Sequence, residues 1–247
     1  MMRVLCVIPA RLGSSRLPHK PLQLLAGEPL VTRVARRVTD LNVVDRVVVA
    51  SDAPKVVDRV RAAGLVAVMT GGQHRNGTER VAEVASMPEH QGYDAFLNVQ
   101  GDEPFIGKDA IEGAIGRLDA GDEIGTAAAP LSAEHREDHA RVKVVFDSAG
   151  RALYFSRAPI PHYRELDEGE PEYWQHVGVY AYTRPALERW VALPPTPLEL
   201  AERLEQLRPL EHGMTIGVAR LTEPAPPGID TMEDLQRAEA LWLTLSR

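Results

Sequence analysis

"RVLCVIPA", residues 3–10, is a short β-branched apolar run stopped by a proline. It reads as a strand handing over to a loop. "DRVVVASD" (45–52) repeats the pattern, and between the two Leu30, Val31, Val34, Val38 and Leu41 recur at helical spacing. Val56, Val57 and Val60 mark a second helix behind Pro54. "LVAVM" (65–69) reads as strand and "GTERVAEVASM" (77–87) as helix. "DAFLNVQGD" (94–102) is strand again, followed by Ile111, Ala114, Ile115 and Leu118 on a helix. Such alternation predicts an α/β protein: a mostly parallel sheet, helices on both faces, and a site at the strands' carboxyl ends.

The middle of the chain differs. "RVKVVFD" (141–147), "SAG" and "RALYFSR" (151–157) read as a β-hairpin with a three-residue loop. "QHVGVYAYT" (175–183) is a further strand, with Val177, Val179 and Ala181 on one face. His176, Gly178, Tyr180 and Tyr182 fall on its other, more polar face. Leu198, Ala201, Leu204 and Leu207 predict one helix after "LPPTP". Thr231 with Asp234 resembles a capping box before a final helix, Asp replacing the usual Glu. With no repeats and no clear linker, the expectation is a single mixed domain over residues 1–247 with a β-rich insertion.

Lys and Arg number 28 against 35 Asp and Glu, a net charge of −7. That balance argues against non-specific binding to nucleic acid or an anionic membrane. Cys6 is the only cysteine, so no internal disulfide forms, and its apolar neighbours predict a buried small hydrophobe. No apolar run approaches a membrane span, and Pro9 interrupts any signal-like segment. A cytoplasmic protein is the expectation.

Against that acidic background, "IPARLGSSRLPHKPL" (8–22) places Arg11, Arg16 and Lys20 directly after the first strand. Gly13 permits close backbone approach, and N–H groups in such a turn form an anion-binding concavity. The set suits a di- or triphosphate, although the spacing is not that of a Walker loop. A solvated loop pairing with surface acids is the competing reading. In "NVQGDEP" (98–104), Asn98, Gln100 and Asp102 share a strand face, and Gly101 and Pro104 turn the chain. Asp102 is a candidate ligand for a hard cation such as Mg2+, or an ordinary turn acid. Asp230, in "PGIDT", is a second candidate, with a helix cap as its simpler explanation. Asn76, Gly77 and Thr78 begin a helix whose free N–H groups and hydroxyl could read a nucleobase, or merely cap it.

Taken in order, these segments resemble the 3-deoxy-manno-octulosonate cytidylyltransferase (CMP-KDO synthetase) family. So do "VASD", "NGTERVAEV", "VKVVFDSAGRALYFSRAPIP", "HVGVYAY", "LELAERLEQLR" and "GIDTMEDL". The likeness runs nearly end to end. It implies a Rossmann-like nucleotidyltransferase fold with a β-rich dimerisation and sugar-binding insertion at about residues 130–185. It implies an Mg2+-dependent homodimer that joins CTP to the acidic sugar KDO, giving CMP-KDO and pyrophosphate for lipopolysaccharide biosynthesis. The implied triphosphate residues are Arg11, Ser14, Arg16 and Lys20. Asn76, Gly77 and Thr78 match the cytosine-reading stretch, and Asp102 and Asp230 the metal ligands. Gln100, Arg157, His176, Glu205 and Gln206 match positions around the sugar acid. An amino-substituted KDO or a nonulosonic acid is an alternative substrate, and a non-catalytic nucleotide-binding protein a more distant alternative. His19 stands where the family usually has Gly, and "EDHARVKVV" replaces the usual lead into its strand.

Overall fold

The computed structural model describes residues 2–13, 16–165 and 172–245. The chain forms two compact units, one running to Lys108 and resuming at Pro226, the other spanning Asp109–Ala225. The first unit runs β1 (Val4–Ala10), the short pair β2 (Leu24–Leu25) and β3 (Glu28–Pro29), α1 (Leu30–Leu41), β4 (Arg46–Ser51) and α2 (Pro54–Ala62). It continues through β5 (Ala67–Met69), α3 (Gly77–Ser86) and β6 (Ala95–Val99). The second unit carries α4 (Lys108–Asp119), β7 (Ile124–Leu131), β8 (Lys143–Phe146), β9 (Ala152–Ser156) and β10 (Tyr173–Thr183). It ends with α5 (Arg184–Ala192), α6 (Pro197–Glu202), α7 (Leu207–Glu211) and β11 (Ile216–Arg220), and α8 (Met232–Leu245) returns to the first unit.

In the first unit the strands pair in the order β6-β1-β4-β5, all parallel. From Val4 to Ile8 every residue of β1 is buried, as strands covered on both faces require. Cys6 is fully buried as read, and burial pushes its thiol pKa up. On α1, Leu30, Val31, Val34, Ala35 and Val38 form the inward stripe. The chain leaves β1 for β4 on one side and later adds β6 on the other. The loops after β1 and β6 therefore open at a topological switch point, where α/β sheets bind ligands.

In the second unit β7 is central, parallel to β11 and antiparallel to β10. Neither β7, "IGTAAAPL", nor β11 shows a strong strand pattern, and the sequence reading passes over both. The β8–β9 hairpin forms as expected. Two expectations fail here. His176, Tyr180 and Tyr182 share a face of β10 as read, in ring contact along it despite a register shift between Val177 and Tyr180, but Tyr180 and Tyr182 are buried with Trp190 and the face is not a polar one. The single helix through Leu198–Leu207 is two short helices, because Arg203 takes left-handed backbone (φ 56°) and caps the first. Leu204 and Leu207 are nonetheless buried. Among the described residues no helix is long and apolar enough to cross a membrane.

Candidate active site

Residues far apart in sequence meet at the carboxyl edge of β1 and β6. The loop after β1 is anchored by Leu17, which is buried with Leu25, Leu30, Ile229, Leu235 and Ala238. Ile229 brings its own neighbour along: its N–H donates to the Asp102 carbonyl (3.0 Å). Gly101 makes this turn possible, since a Cβ there would lie 3.2 Å from the Pro9 carbonyl oxygen. Main-chain contacts thus place Asp230 beside Asp102 before any side-chain charge is considered.

The charges then converge. Lys20 Nζ donates to Asp102 Oδ2 and to Asp230 Oδ1 (2.8 Å), and Arg16 Nη2 lies 3.0 Å from Asp230 Oδ2. Asp230 is not the helix cap. Thr231 takes that role, and Asp234 reaches back to it, accepting from the N–H groups of Asp230 (3.1 Å) and Thr231 (2.8 Å) and from the Thr231 hydroxyl (2.8 Å). Its own N–H donates back to Thr231 Oγ1 (3.1 Å), completing the box read from the sequence. Burial opposes ionisation of Asp234, but the bonds from Arg237, Thr231 and the main chain prevail and hold its pKa at about 2. Asp230 is left free to face Lys20.

Burial alone would lower the Lys20 pKa, yet Asp102 and Asp230 outweigh it and the net shift is upward. Glu103 is pushed up to about 8 by burial first, then by the Asp102 and Asp230 charges, against the pull of Lys20. Two carboxylates from different loops, already converging on one cation, form a donor set that fits a divalent ion of the magnesium type. No group of three or more His, Cys, Asp or Glu suited to a metal occurs among the described residues. The remaining ligands would have to come from phosphate oxygens and water.

A cleft of about 340 Å³ opens here, lined by Arg11, Gly13, Arg16, Lys20, Gln100 and both aspartates among others. A smaller cavity of about 120 Å³ shares Pro9, Ala10, Arg11 and Gln100 with it and is bordered by Asn76 and Gly77. Asn76 caps α3, its side chain accepting from the Glu79 N–H (2.9 Å). Gly77 packs against β1, where an added Cβ would lie 3.1 Å from Pro9 Cγ. Thr78 is fully buried, so the reading that exposed its hydroxyl to a base is corrected. Arg11 approaches the Arg75 carbonyl at 3.5 Å, and Gln100 Nε2 lies 3.5 Å from Asn98 Oδ1. Ser14 lies outside the described residues.

Two residues of the smaller cavity escaped the sequence reading. Arg80 is buried, donates to the Thr70 hydroxyl and the Gly71 carbonyl (3.3 Å), and pairs with Asp52 at 3.4 Å. His74 is bonded to Glu83. Their only signal was position within and just before "NGTERVAEV", where a charged residue reads as a solvated helix face.

Of the five positions matched to the sugar acid, Gln100 lines the cleft, and the other four belong to the second unit. Arg157 donates through Nε to the Glu202 carbonyl (2.8 Å) and through its terminal nitrogens to those of His139 (2.9 Å) and Arg203 (3.4 Å). Among the described residues, these bonds use three of the five guanidinium N–H groups. The turn that holds it continues into Glu205 and the buried Gln206. Glu202, readable as part of a solvated face, instead accepts from Ser156 Oγ (2.6 Å) and the Arg157 N–H (2.9 Å).

His176 Nε2 lies 3.0 Å from Thr126 Oγ1, with the rings of Phe155 and Tyr180 each 5.2 Å away. The Thr126 hydroxyl donates to the Val179 carbonyl (2.7 Å), so it accepts from His176 Nε2 and leaves Nδ1 as the acceptor nitrogen. Burial lowers the His176 pKa to about 3. Below its ordinary value of about 6.5 the unfolded chain takes up a proton that the folded chain refuses. The associated stability is complete above that pH and is lost as pH falls toward 3, by at most about 1.4 kcal/mol per pH unit. Urea unfolding at pH 7.5 and 5.5 should show this loss in the wild type and a smaller one in His176→Gln. Equal losses would remove His176 as the source.

His19 adopts the left-handed region (φ 53°, ψ 32°), the backbone a glycine takes without strain. Its side chain is exposed. His19→Gly should stay within the about 0.5 kcal/mol of ordinary surface changes. His19→Val, β-branched in a left-handed position, should cost about 1–2 kcal/mol in urea unfolding. A tolerated valine would contradict this backbone geometry.

A switch-point cleft with a basic loop, two converging aspartates and a neighbouring helix start defines a nucleotide-handling α/β protein. A cytidylyltransferase family profile matches residues 5–216. The 3-deoxy-manno-octulosonate cytidylyltransferase of Gemmatimonas aurantiaca is 53% identical over 245 residues, covering 98% of this chain and 95% of that protein. The enzymes of the same name from an Anaeromyxobacter species and from Azorhizobium caulinodans are 48% and 46% identical. The alignments cover 98% and 96% of this chain, and 97% and 95% of those proteins. A solved structure of CMP:2-keto-3-deoxy-manno-octonic acid synthetase complexed with CTP superposes with a TM-score of 0.90 at 38% identity, covering 98% of this chain and 99% of that one. The chain belongs to the cytidylyltransferase family, and within it to the 3-deoxy-manno-octulosonate cytidylyltransferases.

Proposed function

We infer that this chain activates 3-deoxy-manno-octulosonate with CTP, giving CMP-KDO and pyrophosphate. The observation that carries the reading is the meeting of Asp102 and Asp230 on Lys20 at the mouth of a basic cleft. The reaction sets a sugar hydroxyl against the α-phosphorus of CTP, and both reactants are anions. When bound between Asp102 and Asp230, Mg2+ would polarise phosphate and sugar oxygens and offset the repulsion. Arg16 and Lys20 stabilise the charge that builds on the departing pyrophosphate. Arg11 and the turn around Gly13 cradle the triphosphate, and the Asn76–Gly77 helix start faces the base. Gln100, matched by the resemblance to the surroundings of the sugar acid, borders both cavities. Arg157 retains two N–H groups for the sugar's carboxylate. His176, neutral at working pH, offers Nδ1 to a sugar hydroxyl, with Glu205 and Gln206 supplying further polar contacts. Little covalent chemistry is asked of the protein, since position and electrostatics dominate such transfers.

The active form is taken to be a cytoplasmic homodimer, in keeping with the family resemblance. Dimerisation would cover apolar side chains such as Leu153, which is 61% exposed on β9. Incubation with CTP, Mg2+ and a panel of 3-deoxy acid sugars, followed by pyrophosphate release, tests the reading. Release requiring all three components, abolished by a chelator and fastest with KDO, is the expected result. No release with KDO, or faster turnover of an amino-substituted or nine-carbon acid, would overturn the substrate assignment.

A further inference from the structure

The reaction as described leaves Lys143 without a task, yet its side chain is completely buried. Its Nζ donates to three main-chain carbonyls, those of Asp138 (3.0 Å), Arg141 (2.7 Å) and Arg157 (2.6 Å). An ammonium has three donors, so all are used, and none of these bonds goes to a carboxylate. Burying a charge among dipoles alone is costly. Burial pulls the Lys143 pKa down even though Asp138, Glu137 and Glu202 act in the other direction. An apolar residue on this strand, opposite Ser156 and Gln175, would avoid that cost.

What the arrangement secures is geometry. The Arg157 guanidinium donates to the His139 carbonyl, while the Lys143 ammonium binds the carbonyls of Asp138, Arg141 and Arg157 itself. The two cations clamp the same two segments, 138–141 and the end of β9, to one another. The carbonyl partners of Arg157 fix its fork but neutralise none of its charge. We propose that Lys143 is a positioning residue for the acidic sugar, locking loop 138–141 and the Arg157 main chain so that the remaining Arg157 N–H groups are set for a carboxylate. This rests on the reading of Arg157 as the carboxylate contact.

The test is steady-state kinetics of full-length Lys143→Met, Arg157→Ala and the double variant, with KM for sugar and for CTP measured separately. Lys143→Met should lower kcat/KM for the sugar by about 10²-fold, the scale of a displaced positioning group, mainly through KM. KM for CTP should be unchanged. In the Arg157→Ala background Lys143→Met should add little, because the two residues act through one contact. Equal loss toward both substrates, or fully additive loss in the double variant, would overturn the proposal. So would Arg157→Ala raising the sugar KM while Lys143→Met leaves it unchanged. If Arg157→Ala leaves the sugar KM unchanged, the underlying reading fails instead, and the proposal with it. Should Lys143→Met not fold, Lys143→Gln carries the same measurement. Failure of both to fold would overturn the proposal in favour of a purely structural role.

Discussion

Asp102→Asn should lower kcat by about 10³-fold, the upper end of what losing one electrostatic contact in the transition state costs. The substitution keeps the side chain's shape and removes its charge. The turn should survive, because Ile229 bonds the main-chain carbonyl of Asp102 and not its carboxylate. Lys20 keeps its bond to Asp230, so the loop after β1 stays in place. CTP should therefore still bind, held by Arg11, Arg16, Lys20 and the Asn76–Gly77 start. Pyrophosphate release at saturating Mg2+ measures the first quantity and titration calorimetry with CTP the second. Near-normal turnover would remove Asp102 from the metal site, and loss of CTP binding would recast it as a nucleotide contact.

Lys20→Ala carries the second large effect, and it has two parts of opposite sign. Turnover should fall about 10²-fold, the cost of losing the donor assigned above to the leaving pyrophosphate. The nucleotide-free enzyme should bind Mn2+ more tightly than wild type. The raised pKa of Lys20 keeps it charged at working pH, where it would compete with a divalent ion for Asp102 and Asp230. Removing it leaves two facing carboxylates with Arg16, on Asp230, as their counter-charge. Electron paramagnetic resonance of free Mn2+ reads the affinity. Weaker Mn2+ binding in the variant would show that Lys20 assembles the aspartate pair and does not compete for it.

The first unit was legible because its signals are local. The strands around Cys6, Val48 and Leu97 are short apolar runs, and α1 shows its buried stripe directly. The meeting of Asp102 with Asp230 depends on one long-range main-chain bond, which no local pattern encodes. It was reached through the order of motifs, and the structure supplies its cause in Ile229. The rest was hidden for physical reasons. Strand β7 is built from Ala, Gly and Thr that pack tightly: a Cβ on Gly125 would lie 1.9 Å from the Ala114 carbonyl oxygen. Such a strand lacks the β-branched signal. The break at Arg203 needs a left-handed residue where composition suggests none. Arg80 and Lys143 look like surface cations in any periodic reading, and only their buried partners reveal otherwise. Thr78 misled for the converse reason, since a polar residue at a helix start reads as exposed.

On the proposed function, two carboxylates held together by the backbone receive one divalent cation with the triphosphate. A crystal of the wild type soaked with CTP and Mn2+, with the anomalous signal of the metal located, tests it most directly. A peak bridging Asp102 and Asp230 to a phosphate oxygen, with Lys20 moved off the aspartates, is the predicted result. A metal held by the triphosphate alone, with Lys20 still clasped between both carboxylates, would contradict it.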